Sequence, residues 1–156
     1  LDADLAAPLE TALLLRDELV RWPTVSMVLG SRVKLLGWHI HRSERRHYLG
    51  RIFATCASIT LALPVYDTQC GAKAMRGGPA LDALLQAPFL SRWLFDVELI
   101  ARLRDAAGES ALRELPLPRW EDPGGSSVGL KDFVRAPLEL WRIWRRYPPR
   151  GGVAGR

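Results

Sequence analysis

Apolar residues recur at helical spacing over residues 9–22, where Leu9, Leu13, Leu15, Leu19 and Val20 fall near one stripe. Pro8 sits at a first-turn position and Pro23 is a stop, so an amphipathic helix is predicted. Residues 24–29 alternate and are followed by Gly30, which predicts a strand that stops at that glycine. Ser43 is placed to cap a helix running to about residue 63, with Arg45, Arg46 and Arg51 in its first turns and Pro64 as its end. Residues 65–71 form a short segment bounded by proline and glycine, and 72–75 read as a strand before Gly77-Gly78-Pro79. Helices are predicted over 80–86 and 95–107, the second closed by Gly108. A strand over 112–117 and a last helix over 130–147 follow, and the Pro-Gly tail 148–156 reads as disordered. This alternation predicts an α/β fold with no internal repeat, organised as one unit over residues 1–147.

At 156 residues, 48% hydrophobic and 25% charged, the composition is that of an ordinary globular domain, which excludes disordered, collagenous and disulfide-scaffold classes. Cys56 and Cys70 are too few for a zinc ribbon or a stapled secreted fold, so reduced thiols in the cytosol are the expectation. The longest nearly uncharged apolar run, residues 52–65, is shorter than the roughly 20 residues a spanning helix needs. The acidic first residues do not resemble a signal peptide.

Charge is unevenly placed. The net charge is +5, yet residues 32–51 carry six basic side chains and one acid, and residues 135–156 repeat that balance, leaving an acidic remainder. Such patches suit an anionic partner: a phosphate, a lipid headgroup or a nucleic acid. Aromatic residues are not interleaved with the arginines as stacking platforms would be, which argues against nucleic acid. His39, His41 and His47 lack a companion set of Cys or acidic ligands, so they read as surface histidines.

Asp2 and Asp4 stand two apart, a spacing that in extended backbone puts both carboxylates on one side, where they can share a cation. Mg²⁺ and Mn²⁺ commonly bind through one or two carboxylates together with substrate phosphates. On spacing alone, two surface charges are the commoner explanation. Asp67 beside Gly71 reads equally as a turn cap, with Gln69 as a polar rim residue. Asp96 and Glu98, near a helix start, point to different faces, and Asp96 is the site candidate while Glu98 suits basic neighbours or the helix N-terminus. Cys70 has no evident activating base and reads as a small buried residue.

Taken in order, the segment 1–5 with Pro8, Gly30-Ser31-Arg32, the basic stretch, Asp67-Thr68-Gln69-Cys70-Gly71-Ala72-Lys73, Phe95-Asp96-Val97-Glu98-Leu99, and Trp120 with Gly125-Ser126 resemble family 2 glycosyltransferases of the dolichyl-phosphate glucosyltransferase type. The resemblance extends from Leu1 to about Tyr147, and the Asp-Thr-Gln-Cys-Gly string is its most specific part. It implies an α/β fold of the GT-A, Rossmann-like kind that is N-terminally incomplete. The metal-binding DXD motif falls at Asp2 and Asp4, and the segment after it belongs to the metal- and acceptor-binding C-terminal part. Ala72 replaces the usual Phe or Tyr, which predicts looser packing beneath the loop, and Ser127 replaces a Lys, a charge that Lys131 or Arg119 can supply.

The activity so implied is inverting transfer of a hexose, with glucose from UDP-glucose the nearest match, to a polyprenyl or dolichyl phosphate. Asp96 and Asp67 are the catalytic candidates. Arg32, Arg45, Arg46, Gln69, Gly71, Lys73, Trp120 and Ser126 are the substrate-binding candidates, and Asp2 and Asp4 hold Mg²⁺ or Mn²⁺. Arg42 joins Arg32, Arg45 and Arg46 as a possible phosphate fork. The implied location is peripheral, at the cytoplasmic membrane face, and the chain alone is expected not to turn over a nucleotide-sugar. Mannosyl or other hexosyl transfer, and a non-catalytic remnant that binds anionic lipid, are the alternatives.

Overall fold

A five-residue strand buried along its whole length organises the structure, a computed structural model that describes residues 1, 6–41, 44–121 and 130–149, with residues 41, 44–47 and 130–133 described by backbone alone. This strand, β1 (Met27–Ser31), pairs antiparallel with β3 (Lys73–Met75) on one side and parallel with β4 (Leu112–Pro116) on the other. A second, two-stranded parallel sheet joins β2 (His39–His41) to β5 (Arg119–Glu121). Among the described residues the helices are α1 (Glu10–Arg21), α2 (Glu44–Leu61), α3 (Pro79–Gln86), α4 (Phe95–Ala107) and α5 (Leu130–Arg146). The class is mixed α/β.

The two-residue period of β1 divides the core. Val28 packs with Leu15 and Leu19 of α1, whereas Met27 and Leu29 face Leu61 of α2, Ile100 of α4 and Leu140 and Ile143 of α5. A short strand covered on both faces is the expected state where helices flank a partly parallel sheet.

Helix α4 is buried through seven consecutive residues, among them Glu98 and Arg102. The guanidinium of Arg102 donates to Glu98 Oε1 from Nη2 (2.7 Å) and Nε (3.1 Å), and its remaining donors reach the carbonyls of Leu84, Ala87 and Pro88. The amide of Leu90 donates to Glu98 Oε2 at 2.7 Å. A pair so buried is tolerable because these bonds satisfy both charged groups. Arg104, near the end of the same helix, donates to Leu61 O at 2.6 Å and Tyr147 O at 2.9 Å. One side chain thereby satisfies a carbonyl at the end of α2 and another just past α5, bringing the carboxyl ends of those helices together.

Three expectations change. β1 does not stop at Gly30 but runs through it to Ser31, because the missing side chain admits the chain of Ala72: Gly30 N donates to Ala72 O at 2.7 Å. A Cβ at Gly30 would lie 2.8 Å from that oxygen. α2 ends at Leu61, where Ala62 takes a left-handed φ of 48°, two residues before the predicted end. Strands β2 and β5 were not predicted, being three residues each with a single inward apolar side chain, Ile40 and Trp120. The Ser43 cap and most of the tail lie outside the described residues.

Candidate functional site

Parallel β1 and β4 direct their carboxyl ends to the same edge of the sheet, and antiparallel β3 begins there. Arg32 follows β1, Trp120 lies beyond β4 on β5, and Lys73 opens β3. The loop 64–72 arrives beside them through the Gly30–Ala72 approach. Helix α4 leads into β4, so its first turn, with Asp96, also lies at this edge. In open α/β sheets, ligands bind at the carboxyl ends of the strands.

The loop is held from four sides. Glu114, on β4, accepts the amides of Tyr66 (2.9 Å) and Asp67 (2.8 Å). Arg51, from α2, donates to Tyr66 O at 3.2 Å while its guanidinium lies 3.8 Å from the centre of the Tyr66 ring. Arg32 grips Asp67 with two parallel bonds, Nε to Oδ2 at 2.6 Å and Nη2 to Oδ1 at 2.8 Å, and its own amide also donates to Oδ2. Lys73 Nζ is 3.0 Å from Asp96 Oδ1 and donates to the carbonyl of Cys70. Beneath Arg32 lies the indole of Trp120, 5.0 Å from the guanidinium carbon.

Within the loop, the amide of Gln69 donates to Asp67 Oδ1 at 3.2 Å, so Asp67 does cap a turn. Thr68 Oγ1 and Gln69 Nε2 are buried and have no hydrogen-bond partner among the described residues. Gly71 is half-buried beside them, and Ala72 is fully buried against the sheet, so the loop is closely seated at that residue despite the small side chain. Burial pushes the Cys70 thiol up to about 11, helped by the nearby Asp67 charge and opposed by Arg32, the Ala72 amide and Lys73. A thiol so shifted is not an activated nucleophile.

Arg32, Asp67, Gln69, Gly71, Lys73, Asp96 and Trp120 thus gather around one edge. Glu98 projects elsewhere, to Arg102. The guanidinium fork of Arg32, read from sequence as a phosphate ligand, is engaged by Asp67. Asp2, Asp4, Arg42 and Ser126 lie outside the described residues, as do the side chains of Arg45 and Arg46. Among the described residues no group of three or more His, Cys, Asp or Glu side chains is placed to hold a metal ion. Glu114 and Arg51 were not among the candidate site residues, although Arg51 was placed in the basic run and in the first turns of α2. Only their isolated position signalled them, Glu114 being an acid within a short strand pattern and Arg51 the last base of a basic run.

Among the described residues no helix is long and apolar enough to cross a membrane. In comparisons with family models, curated proteins and solved structures, the chain matches none.

Proposed function

We propose that this chain serves an inverting hexosyl transfer from a nucleotide-sugar to a polyprenyl phosphate, on a framework of the GT-A, family 2 type. Its chief support is the convergence of the Asp67–Lys73 string, Asp96 and Trp120 on the carboxyl ends of β1 and β4, with Thr68 Oγ1 and Gln69 Nε2 buried there without hydrogen-bond partners among the described residues. Orphaned polar atoms at a strand-end edge have the capacity to meet hydroxyls or phosphate oxygens.

In the proposed reaction an acceptor phosphate oxygen attacks the anomeric carbon. The bond to the nucleotide diphosphate breaks with its electron pair leaving on the diphosphate, and configuration inverts. A phosphate monoester already carries about −1.5 to −2 charge at neutral pH, so positioning and charge neutralisation matter more than deprotonation. Asp2 and Asp4 would hold Mg²⁺ or Mn²⁺, which would offset charge on the departing diphosphate. Asp67, held by Arg32, and Gln69 would receive sugar hydroxyls. Asp96, kept in place by Lys73, would face the reacting centre, and Arg45 and Arg46 would draw the acceptor from the cytoplasmic membrane face. Glucose from UDP-glucose is the first donor to test.

The test is transfer of labelled hexose from nucleotide-hexoses into extractable polyprenyl phosphate by the native gene product with Mn²⁺. Lipid-linked product is expected, reduced about a hundredfold in Asp67→Asn and Asp96→Asn, in line with the loss of a positioned catalytic group, and reduced less per folded molecule in Glu98→Gln. Failure of every nucleotide-hexose to label the lipid refutes the assignment.

A further inference from the structure

Two neighbouring helices turn apolar stripes outward. On α5, Val134, Leu138 and Trp141 follow one another at i, i+4 and i+7, and on α2 Tyr48, Ile52 and Ile59 occupy one stripe. All six are between 48% and 74% exposed. The helices are in contact and meet at Arg104. Both bury their opposite stripes, Ala57 and Leu61 on α2 and Leu140 and Ile143 on α5, in one cluster, so the exposed stripes face away from the sheet together.

What covers this face is indicated by its charge. Arg135, Arg142, Arg145 and Arg146 are exposed on α5, and among the described residues none of the four has a carboxylate partner. The one acid of α5 whose side chain is described, Glu139, is turned to Ser91 Oγ at 2.5 Å. Arg145 instead lies 5.4 Å over the ring of Trp141, so apolar and cationic groups share one exposed arc. The outward leucines of α1, by contrast, stand among Glu10, Arg16, Asp17 and Glu18, where both signs occur and the acids prevail. Aromatic side chains beside arginines suit the boundary between headgroups and acyl chains, where the ring enters and the guanidinium stays at phosphate level.

We infer that the α2–α5 face is a docking surface for an anionic lipid bilayer, its apolar stripes entering the interface and the arginines of α5 pairing with headgroups. The inference rests on the reading of the acceptor as lipid-borne for its purpose, not for its observations.

The test uses the 156-residue chain with vesicles of phosphatidylcholine containing phosphatidylglycerol, free of polyprenyl phosphate. Co-sedimentation is expected with these vesicles at low salt, with release at high salt, and little with phosphatidylcholine alone. Arg142→Ala with Arg145→Ala should weaken partitioning about thirtyfold, on the basis of about a factor of five for each basic residue near the surface. Leu138→Ser with Trp141→Ser should abolish it, and Leu13→Ser with Val20→Ser on α1 should leave it unchanged. Quenching of tryptophan emission by brominated lipid, present in the parent and lost in Trp141→Phe with Trp144→Phe, is a second readout that truncates no side chain to a small one. The inference is overturned by absence of vesicle binding, by indifference to the α5 changes, or by self-association that Leu138→Ser with Trp141→Ser disperses in the absence of lipid. Binding to these vesicles without added affinity for polyprenyl phosphate would uphold the face and count against the acceptor reading alone.

Discussion

Glu114 has been taken out of water to hold a loop, and its carboxyl reflects that. Burial pushes its pKa up from the ordinary 4.5, and the Asp67 charge adds to this, while the Tyr66 and Asp67 amides and Arg51 oppose it. A carboxyl raised in the folded chain keeps a proton that the unfolded chain has already lost. Its contribution is fully present below 4.5 and is lost as pH rises through the raised value. Urea unfolding of the parent and of Glu114→Gln across this acidic window should therefore show the parent's stability relative to the variant falling as pH increases; a flat or rising difference would contradict the assigned direction. Cysteine chemistry offers a second residue-scale check, since Cys56 is exposed and Cys70 is buried with its thiol at about 11. One equivalent of a thiol reagent should react promptly with the native chain at mildly alkaline pH and a second only in denaturant. The loop was singled out only through the resemblance carried by its Asp67–Lys73 string, since Asp67, Gln69 and Gly71 by themselves read equally as a turn cap and a polar rim. Glu114 was not, since its partners are amides distant in sequence and no local pattern encodes them.

At the scale of elements, the helices were readable where a stripe of apolar residues was bounded by a stop: α4 occupies residues 95–107 as the Gly108 signal predicts, and α1 lies between Pro8 and Pro23. The small strands were not, because β2 and β5 exist only by pairing with each other. Gly30 was recognised as special but misread. A glycine signals either the end of a strand or the close approach of another chain, and only the arrival of Ala72 decides between them. Gly30→Ala places a methyl 2.8 Å from the Ala72 carbonyl oxygen, closer than real Cβ contacts come, and 3.0 and 3.1 Å from Leu117 Cδ2 and Ala72 Cβ. It should destabilise the fold by about 2 kcal/mol and lower Tm by about 4–8 °C. Calorimetry checks this, and an unchanged Tm would mean that the loop gives way freely. The apolar run 52–65 illustrates a limit of composition: it reads as one hydrophobic block, yet its helical part divides into Ala54, Ala57 and Leu61 inward and Ile52 and Ile59 outward.

The whole molecule is tied together by β1, whose two neighbours come from distant parts of the chain: Met27 pairs with Met75 on one side and with Leu112 on the other. Contacts of this kind require large loops to close before they stabilise anything, so they form late. In pulse-labelling hydrogen exchange, amides within α4 should gain protection before those of Gly30 and Leu117, which bond across the sheet to Ala72 and Ser31. Simultaneous protection of all of these would indicate that helix and sheet form together. The parallel pairing also bears on synthesis. A ribosome making this chain releases β1 before either of its neighbours and long before β4, so the most apolar strand emerges with both native partners unmade and keeps one edge unpaired until β4 follows. Nascent chains arrested before residue 112 should be cut readily by protease around residues 27–31, and should depend on chaperones until β4 emerges.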